Sequence, residues 1–146
     1  MILDNDGVVS DAQAVTADAG STNVIDLGVT GRRFGAGEAM ALVLFVDVAA
    51  DGTTTDETYQ IEIQTDDDVA FGSATDLQAI DKTYAQLTLN SVHAFILDPN
   101  WTFERYLRVR FDVGGTTPTI TATVALMPLS CLRKFKDYGN NYLVTH

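Results

Sequence analysis

Apolar side chains recur at every second position along most of this chain, and that spacing constrains its fold more than any other sequence feature. Three segments show the pattern most clearly, namely residues 57–65, 105–113 and 119–127. In the first of them, Tyr59, Ile61 and Ile63 fall on one face and polar side chains fall on the other. A period of two is typical of a half-buried antiparallel strand. The pattern therefore predicts an all-β protein.

Further strands are predicted from shorter or more apolar runs, at residues 24–27, 40–48, 84–89 and 92–97. The run Met40–Val48 is nearly all apolar. It predicts a central strand covered on both faces, or one with a face in the core and a face in an interface. The pair Asn90-Ser91 is short enough for a hairpin turn between the last two predicted strands. Breakers rich in Gly, Asp and Thr separate the runs at a spacing typical of a β-sandwich or jelly roll.

The two ends of the chain differ from its body. Residues 1–22 are small, polar and acidic, whereas residues 128–146 combine basic and aromatic side chains. We therefore expect an antiparallel β-sandwich of jelly-roll type at residues 23–127, with an extended N-terminal arm at 1–22 and a C-terminal tail at 128–146. An apolar tail beyond the last strand must bury itself, either against its own domain or on another chain.

The charge of the chain excludes some classes of partner. Its 146 residues include 20 acidic and 9 basic side chains, for a net charge of −11. This balance argues against binding to nucleic acid, which requires a basic surface, and against docking on an anionic membrane. The basic residues are concentrated towards the C-terminus. They form either a basic edge that faces an acidic partner or scattered charges that balance a locally acidic surface. For Arg108 and Arg110 we favour an ordinary solvated strand face beside acidic neighbours.

Few residues are arranged for catalysis or metal binding. The single cysteine, Cys131, excludes an internal disulfide and a cysteine-based zinc site. His93 lies in a predicted strand, and Ser130 has no neighbouring base in the sequence. The acidic runs Asp66–Asp68 and Asp4–Gly7 could offer oxygen ligands to Ca²⁺, but neither follows a calcium-loop spacing, so we expect solvated turn carboxylates. The sequence thus predicts no enzyme, no cofactor and no metal site.

Trp101 is the best candidate for an alternative function, a jelly-roll binding module for carbohydrate or a host surface. It stands near Asp98 and Asn100, and sugar sites favour an exposed aromatic ring beside carboxylates and amides. A Trp at a strand entry more often caps the core of its own domain, and we favour that interpretation.

Several segments, taken in order, resemble a known family. They are M-I-L-D at the start, S-D-A-Q-A-V-T at 10–16, S-T-N-V-I-D-L-G at 21–28, I-Q-T-D-D-D-V-A-F at 63–71 and R-Y-L-R-V-R-F at 105–111. Together they resemble the small capsid cement, or decoration, proteins of tailed bacteriophages, in particular the family similar to the cement protein of a Bordetella podovirus. The resemblance covers about residues 1–126, and its opening segments are the most specific. Residues 128–146 lie outside it.

The resemblance implies a jelly-roll protein on the outer surface of the virion head, made in the host cytoplasm, that bridges neighbouring copies of the major capsid protein. It also implies a small homo-oligomer, for which we favour a dimer over a trimer, and no active site. We expect partner contacts at the N-terminal arm and the tail, through Ile2, Leu3, Val8, Arg133, Lys134, Phe135, Lys136 and Tyr138. We expect Tyr142, Leu143 and Val144 to pack on a second copy.

Overall fold

A computed structural model describes residues 5–31 and 37–132 of the chain as two antiparallel sheets packed face to face. A short 3₁₀ turn at Asn5–Gly7 precedes the first strand, and residues 129–132 are helical. The strands are β1 (Val8–Val15), β2 (Ala19–Gly20), β3 (Ile25–Asp26), β4 (Met40–Val48), β5 (Thr58–Asp66), β6 (Thr75–Lys82), β7 (Val92–Ile96), β8 (Tyr106–Gly114) and β9 (Ile120–Pro128). No helix among the described residues is long and apolar enough to cross a membrane.

The strand order confirms the predicted fold. The first sheet, here called sheet A, has the order β1-β9-β4-β7. The second, sheet B, has the order β2-β8-β5-β6, and the short β3 also pairs with β8. This arrangement, in which the chain passes repeatedly between the sheets, is that of a jelly roll.

Alternating side chains from both sheets fill the core. Leu42 and Leu44 of β4 point inward from sheet A, and Ile61, Val109 and Phe111 point inward from sheet B, all at most 1% exposed. Burying each such side chain contributes roughly 1.5–3 kcal/mol relative to leaving it in water. The predicted period of two therefore places the alternate apolar side chains of both sheets in the core of the sandwich.

Most of the predicted strands are confirmed within one or two residues. The predicted strand at 40–48 coincides with β4, and those at 57–65, 105–113 and 119–127 are each displaced by one residue from β5, β8 and β9. The prediction at 92–97 matches β7 apart from its last residue, and that at 24–27 contains the two-residue β3.

The predicted strand at 84–89 is wrong. These residues form consecutive turns, in which the Leu87 amide donates to the carbonyls of Thr83 and Tyr84. Leu87 is fully buried and anchors the turns, while Asn90 adopts a positive φ of 62°. The apolar residues of this segment therefore fix a loop to the core, and the expected Asn90-Ser91 hairpin does not form.

Strand β6 was not predicted, because its apolar residues do not alternate. Leu77 and Ile80 both pack against the core although they stand three positions apart. A register shift against β5 explains the spacing, since Ile63 pairs with Gln78 and the next residue, Gln64, pairs with Asp76. The extra residue of this bulge is Leu77, and it breaks the period of two.

The segment expected to be an N-terminal arm contains strand β1. Val8–Val15 pairs with β9, and Val9 and Val15 are buried in the core. The division of the chain into arm, sandwich and tail stays a prediction, because residues 1–4 and 133–146 lie outside the described part.

Candidate functional site

The outer face of sheet B is polar, and its charges are largely neutralised within the chain. Arg110 of β8 reaches across to β5, where its guanidinium lies 2.7 Å from the Glu62 carboxylate and 3.1 Å from that of Asp18. Glu62 is only 6% exposed, so its carboxylate depends on this partner. Hydrogen bonding to Glu62 raises the pKa of Arg110 above its usual range. The acidic neighbours expected for Arg110 are present, but the side chain is not fully solvated.

Arg108 is held in the same network. Its Nε donates to the Gln64 side-chain oxygen at 2.8 Å, and its guanidinium lies over the Phe71 ring, 4.1 Å from the centroid. Burial and the nearby Arg110 lower the pKa of Arg108. Both arginines thus contact groups of the same chain, which disfavours a free basic patch on this face.

An exposed ion pair joins β3 to the start of β8. The Arg105 guanidinium lies 2.9 Å from the Asp26 carboxylate, and about half of each side chain remains exposed. Hydrogen bonds from Arg105 and from the Gly28 amide lower the pKa of Asp26 to about 2. This pair fixes the short strand β3 to sheet B.

The acidic run that begins at the end of β5 caps a turn, and the prediction of solvated turn carboxylates is wrong for its first residue, Asp66. Asp66 is fully buried and accepts hydrogen bonds from the amides of Asp68 and Ser73, at 3.0 and 2.9 Å. These bonds lower the pKa of Asp66. Asp76 accepts from the Gln64 amide group at 2.7 Å. Across residues 5–31 and 37–132, no group of three or more His, Cys, Asp or Glu side chains is arranged to hold a metal ion.

Trp101 caps the core, as we favoured from the sequence. It packs against the inner apolar cluster, with its ring 6.2 Å from that of Phe103. The carboxylate of Asp98 accepts from both the backbone and the side-chain amide of Asn100. The polar groups that a sugar would need are therefore bonded to each other, and the ring is partly buried.

The candidate nucleophile and base side chains have separate local partners. His93 Nε2 lies 3.1 Å from the Gln86 carbonyl and 3.2 Å from the Ser91 hydroxyl. The Ser130 hydroxyl donates to the carboxylate of Glu38. Cys131 packs at the edge of an apolar cluster outside the main core.

That second cluster covers the outer face of sheet A. Ala41 and Val43 of β4, with Ala125 of β9, are at most 1% exposed although they point away from the core between the sheets. Leu132, from the helical residues after β9, lies in the same cluster and is 6% exposed. The central residues 41–44 of the run Met40–Val48 are therefore buried on both faces, one of the two arrangements predicted from its composition, whereas Asp47 and Val48 at its end are exposed.

The cluster has a half-buried rim that extends to the edge strand β7. Phe45 and Val92, which pair across β4 and β7, are partly exposed. Ala94 and Ile96 follow on the same face of β7 and are exposed, Ile96 by 53%. Val92, Ala94 and Ile96 are not among the partner contacts predicted from the sequence. The signal was present in V-H-A-F-I-L, where both faces are predominantly apolar and no residue is charged.

Only one of the predicted partner-binding residues lies in the described part of the chain. Val8 begins β1, is half-buried and packs against the outer cluster. Ile2 and Leu3 lie outside the described residues, as do Arg133, Lys134, Phe135, Lys136, Tyr138, Tyr142, Leu143 and Val144.

Fold and surfaces together define the class of this protein as an antiparallel jelly-roll sandwich with one polar outer face and one that carries a buried apolar cluster. The chain belongs to the Bbp16 family, a family of Bordetella phage proteins, which it matches over residues 9–126. The match begins within β1 and ends within β9, so it spans the sandwich. No curated protein matches the chain.

Proposed function

We propose that this chain is a phage capsid cement protein that binds the outer surface of the head, bridges neighbouring major capsid proteins and stabilises the mature shell. The observation that carries the proposal is the match to a Bordetella phage family across the whole sandwich. The resemblance of its opening segments to capsid cement proteins supports the same role. A cement protein needs surface that becomes buried on assembly, and we propose that it acts without catalysis or a cofactor.

The charge of the chain supports a position outside the shell. A net charge of −11 would be repelled by the phosphates of packaged DNA on the inner side. The sheet B arginines are no exception, since Arg108 and Arg110 bond to groups of the same chain. We therefore propose the major capsid protein and a second copy of this chain as partners, and neither nucleic acid nor membrane.

We propose that both terminal segments contact partners. Val8, at the start of β1, is half-exposed and follows the predicted contacts Ile2 and Leu3 in the sequence. The basic and aromatic residues 133–138 would meet the acidic and apolar surface of a capsid neighbour, and residues 142–144 a second copy. Small contacts of this kind hold firmly when many copies act together, because linked sites raise the effective concentration.

Reconstituted heads test the proposal. Heads assembled without the protein should bind it after expansion, and bound heads should release DNA at a higher temperature than bare ones. Unexpanded heads are the control, and we expect weaker binding to them. A protein that does not bind expanded heads, or binds without changing their stability, would refute the cement role.

A shortened chain tests the contribution of the tail. Leu132 is buried in the outer cluster, so a chain that ends after Leu132 keeps this anchor while it removes residues 133–146. We expect it to melt as a cooperative domain yet to bind expanded heads at least tenfold more weakly, equivalent to about 1.4 kcal/mol. Unchanged binding would remove the tail from the contact.

A further inference from the structure

We propose that the edge strand β7 pairs with β7 of a second copy, across a two-fold axis at Ala94, so that two A sheets join into one. The inference deepens the proposed function, on which it rests, by assigning a surface to the homo-oligomer. An unpaired edge presents backbone donors and acceptors that another strand can use.

The other edges carry features that oppose pairing with another chain. Strand β1 has two register shifts against β9, and Ala12 adopts a φ of 42°. Strand β6 has exposed Asp76 and Asp81. Strands β2 and β3 have two residues each. Bulges, charges and short length are the usual protections of a sheet edge.

Strand β7 has none of these protections. Its five residues, Val92–Ile96, include no charged side chain and no proline. They pair with β4 in an unbroken register from Ala41↔Ile96 to Phe45↔Val92. The strand is therefore regular and uncharged, and among the strands of residues 5–31 and 37–132 it pairs with β4 alone.

The ladder fixes which backbone groups of β7 point outward. The Leu97 amide donates to the Met40 carbonyl at 2.9 Å, so Leu97 forms a hydrogen-bonded pair with β4. Antiparallel ladders alternate such pairs, which directs the backbone groups of His93 and Phe95 inward as well. Those of Val92, Ala94 and Ile96 are then directed away from β4, towards an added strand.

A two-fold axis at Ala94 gives a compatible register for the side chains. Ala94 would lie opposite Ala94 of the second copy, and Val92 would lie opposite Ile96. The two small Ala94 side chains meet at the centre. At each end of the paired strands, Ile96 of one copy, which is 53% exposed in the single chain, gains Val92 of the other copy as an apolar neighbour. The half-buried Phe45 and Val92 continue this apolar strip towards β4.

Charge favours a second copy as the occupant. A chain of net charge −11 repels itself over most of its surface, so two copies can approach best where the surface is uncharged. The residues of β7 are uncharged, and the open groove between β7 and β6 is lined on the β6 side by Gln78, Ile80 and Lys82. A basic or strongly polar partner would find no complementary charge on β7 itself.

A designed disulfide tests the register directly. Opposed residues of a hydrogen-bonded pair have Cα atoms about 5.5 Å apart, within the range that a disulfide spans. In a Cys131→Ser background, Ala94→Cys should therefore form a disulfide-linked dimer. The cross-link is measured after the protein has equilibrated with a mildly oxidising thiol–disulfide buffer. Val69→Cys in the same background is the control, because Val69 is 56% exposed in the loop after β5. Equal cross-linking of the two variants, or none in Ala94→Cys, would overturn the proposal.

The solution mass provides a second test that needs no cysteine. The natural chain should have twice its 15.8 kDa mass by light scattering, Ile96→Glu should be monomeric, and Val69→Glu should remain a dimer. Because Ile96 and Val69 are both exposed, each position should tolerate the added glutamate charge. Melting curves verify that both variants fold. If Ile96→Glu does not fold, Ala94→Pro replaces it, since proline is tolerated on an edge strand where the lost N–H points away from the neighbouring strand.

These outcomes are separable from those of the cement proposal. A natural chain that is monomeric throughout a concentration series, or an Ile96→Glu variant that stays dimeric, refutes the β7 interface. Binding of the natural chain to expanded heads would still support the cement role in either case. Conversely, a β7 dimer that does not bind heads supports this interface and refutes the cement role.

Discussion

The outward side chains of the two sheets are stabilised in opposite ways. On sheet B, the outward positions of β5 and β8 hold Glu62, Gln64, Arg108 and Arg110, which satisfy one another through ion pairs and hydrogen bonds. On sheet A, the outward residues Ala41 and Val43 of β4 are apolar and belong to a buried apolar cluster that includes Leu132. A face that satisfies its own charges can stay in water, whereas an apolar face must be covered by further chain. The apolar side is therefore where contacts with other chains are expected.

The largest effect should come from a charge placed in the outer cluster of sheet A. Val43 is fully buried there, so Val43→Asp would leave a carboxylate without water or a partner. We expect a loss of about 4 kcal/mol or more in the free energy of unfolding, measured with urea. The matched control is Val69→Asp at a 56% exposed position, which should change stability by less than about 0.5 kcal/mol. Equal effects would mean that the outer face of sheet A is not a true second core.

The next largest loss of stability is expected at the ion pair between β5 and β8 on the outer face of sheet B. Arg110→Leu would leave the Glu62 carboxylate, which is 6% exposed, without its guanidinium. We expect a loss of about 2 kcal/mol, below the value for a fully buried pair because the Arg110 side chain is 28% exposed.

Removing the partner as well tests the cause. In the double variant Arg110→Leu with Glu62→Leu no charge is stranded, so most of the lost stability should return. A double variant as unstable as Arg110→Leu alone would mean that packing rather than charge holds this face.

How far the sequence predicts the molecule differs between these regions. β4, β8 and β9 are predictable because regular alternation and burial coincide there. β6 is not, because a bulge at Leu77 breaks the period, and residues 84–89 mislead because apolar anchors also occur in loops. The hydrogen bonds from Arg108 to Gln64 and from Arg110 to Glu62 span 44 and 48 positions of the chain, so no local pattern reveals them. The edge position of β7 follows from strand order alone, which alternation does not encode.

The smallest effect is a pH dependence at the exposed pair of Asp26 and Arg105. Hydrogen bonding to Arg105 lowers the pKa of Asp26 from 3.8 to about 2 in the folded chain. A lowered pKa means that the carboxylate stabilises the fold above pH 3.8, and that this contribution is lost as the pH falls from 3.8 towards 2.

Carboxyl NMR titration measures this directly. We expect the Asp26 midpoint near 2, moving up towards 3.8 in Arg105→Gln, with little change in stability at pH 7 because the pair is exposed. A midpoint near 3.8 in the natural chain would show that the ion pair does not persist in solution.

Cryo-electron microscopy of expanded heads decorated with this chain tests the central claim most directly. The account predicts density for the sandwich on the outer surface, at boundaries between capsid proteins, in pairs joined through β7 into one continuous sheet. Heads that carry no such density, or that hold the chain on the inner surface, would contradict the account.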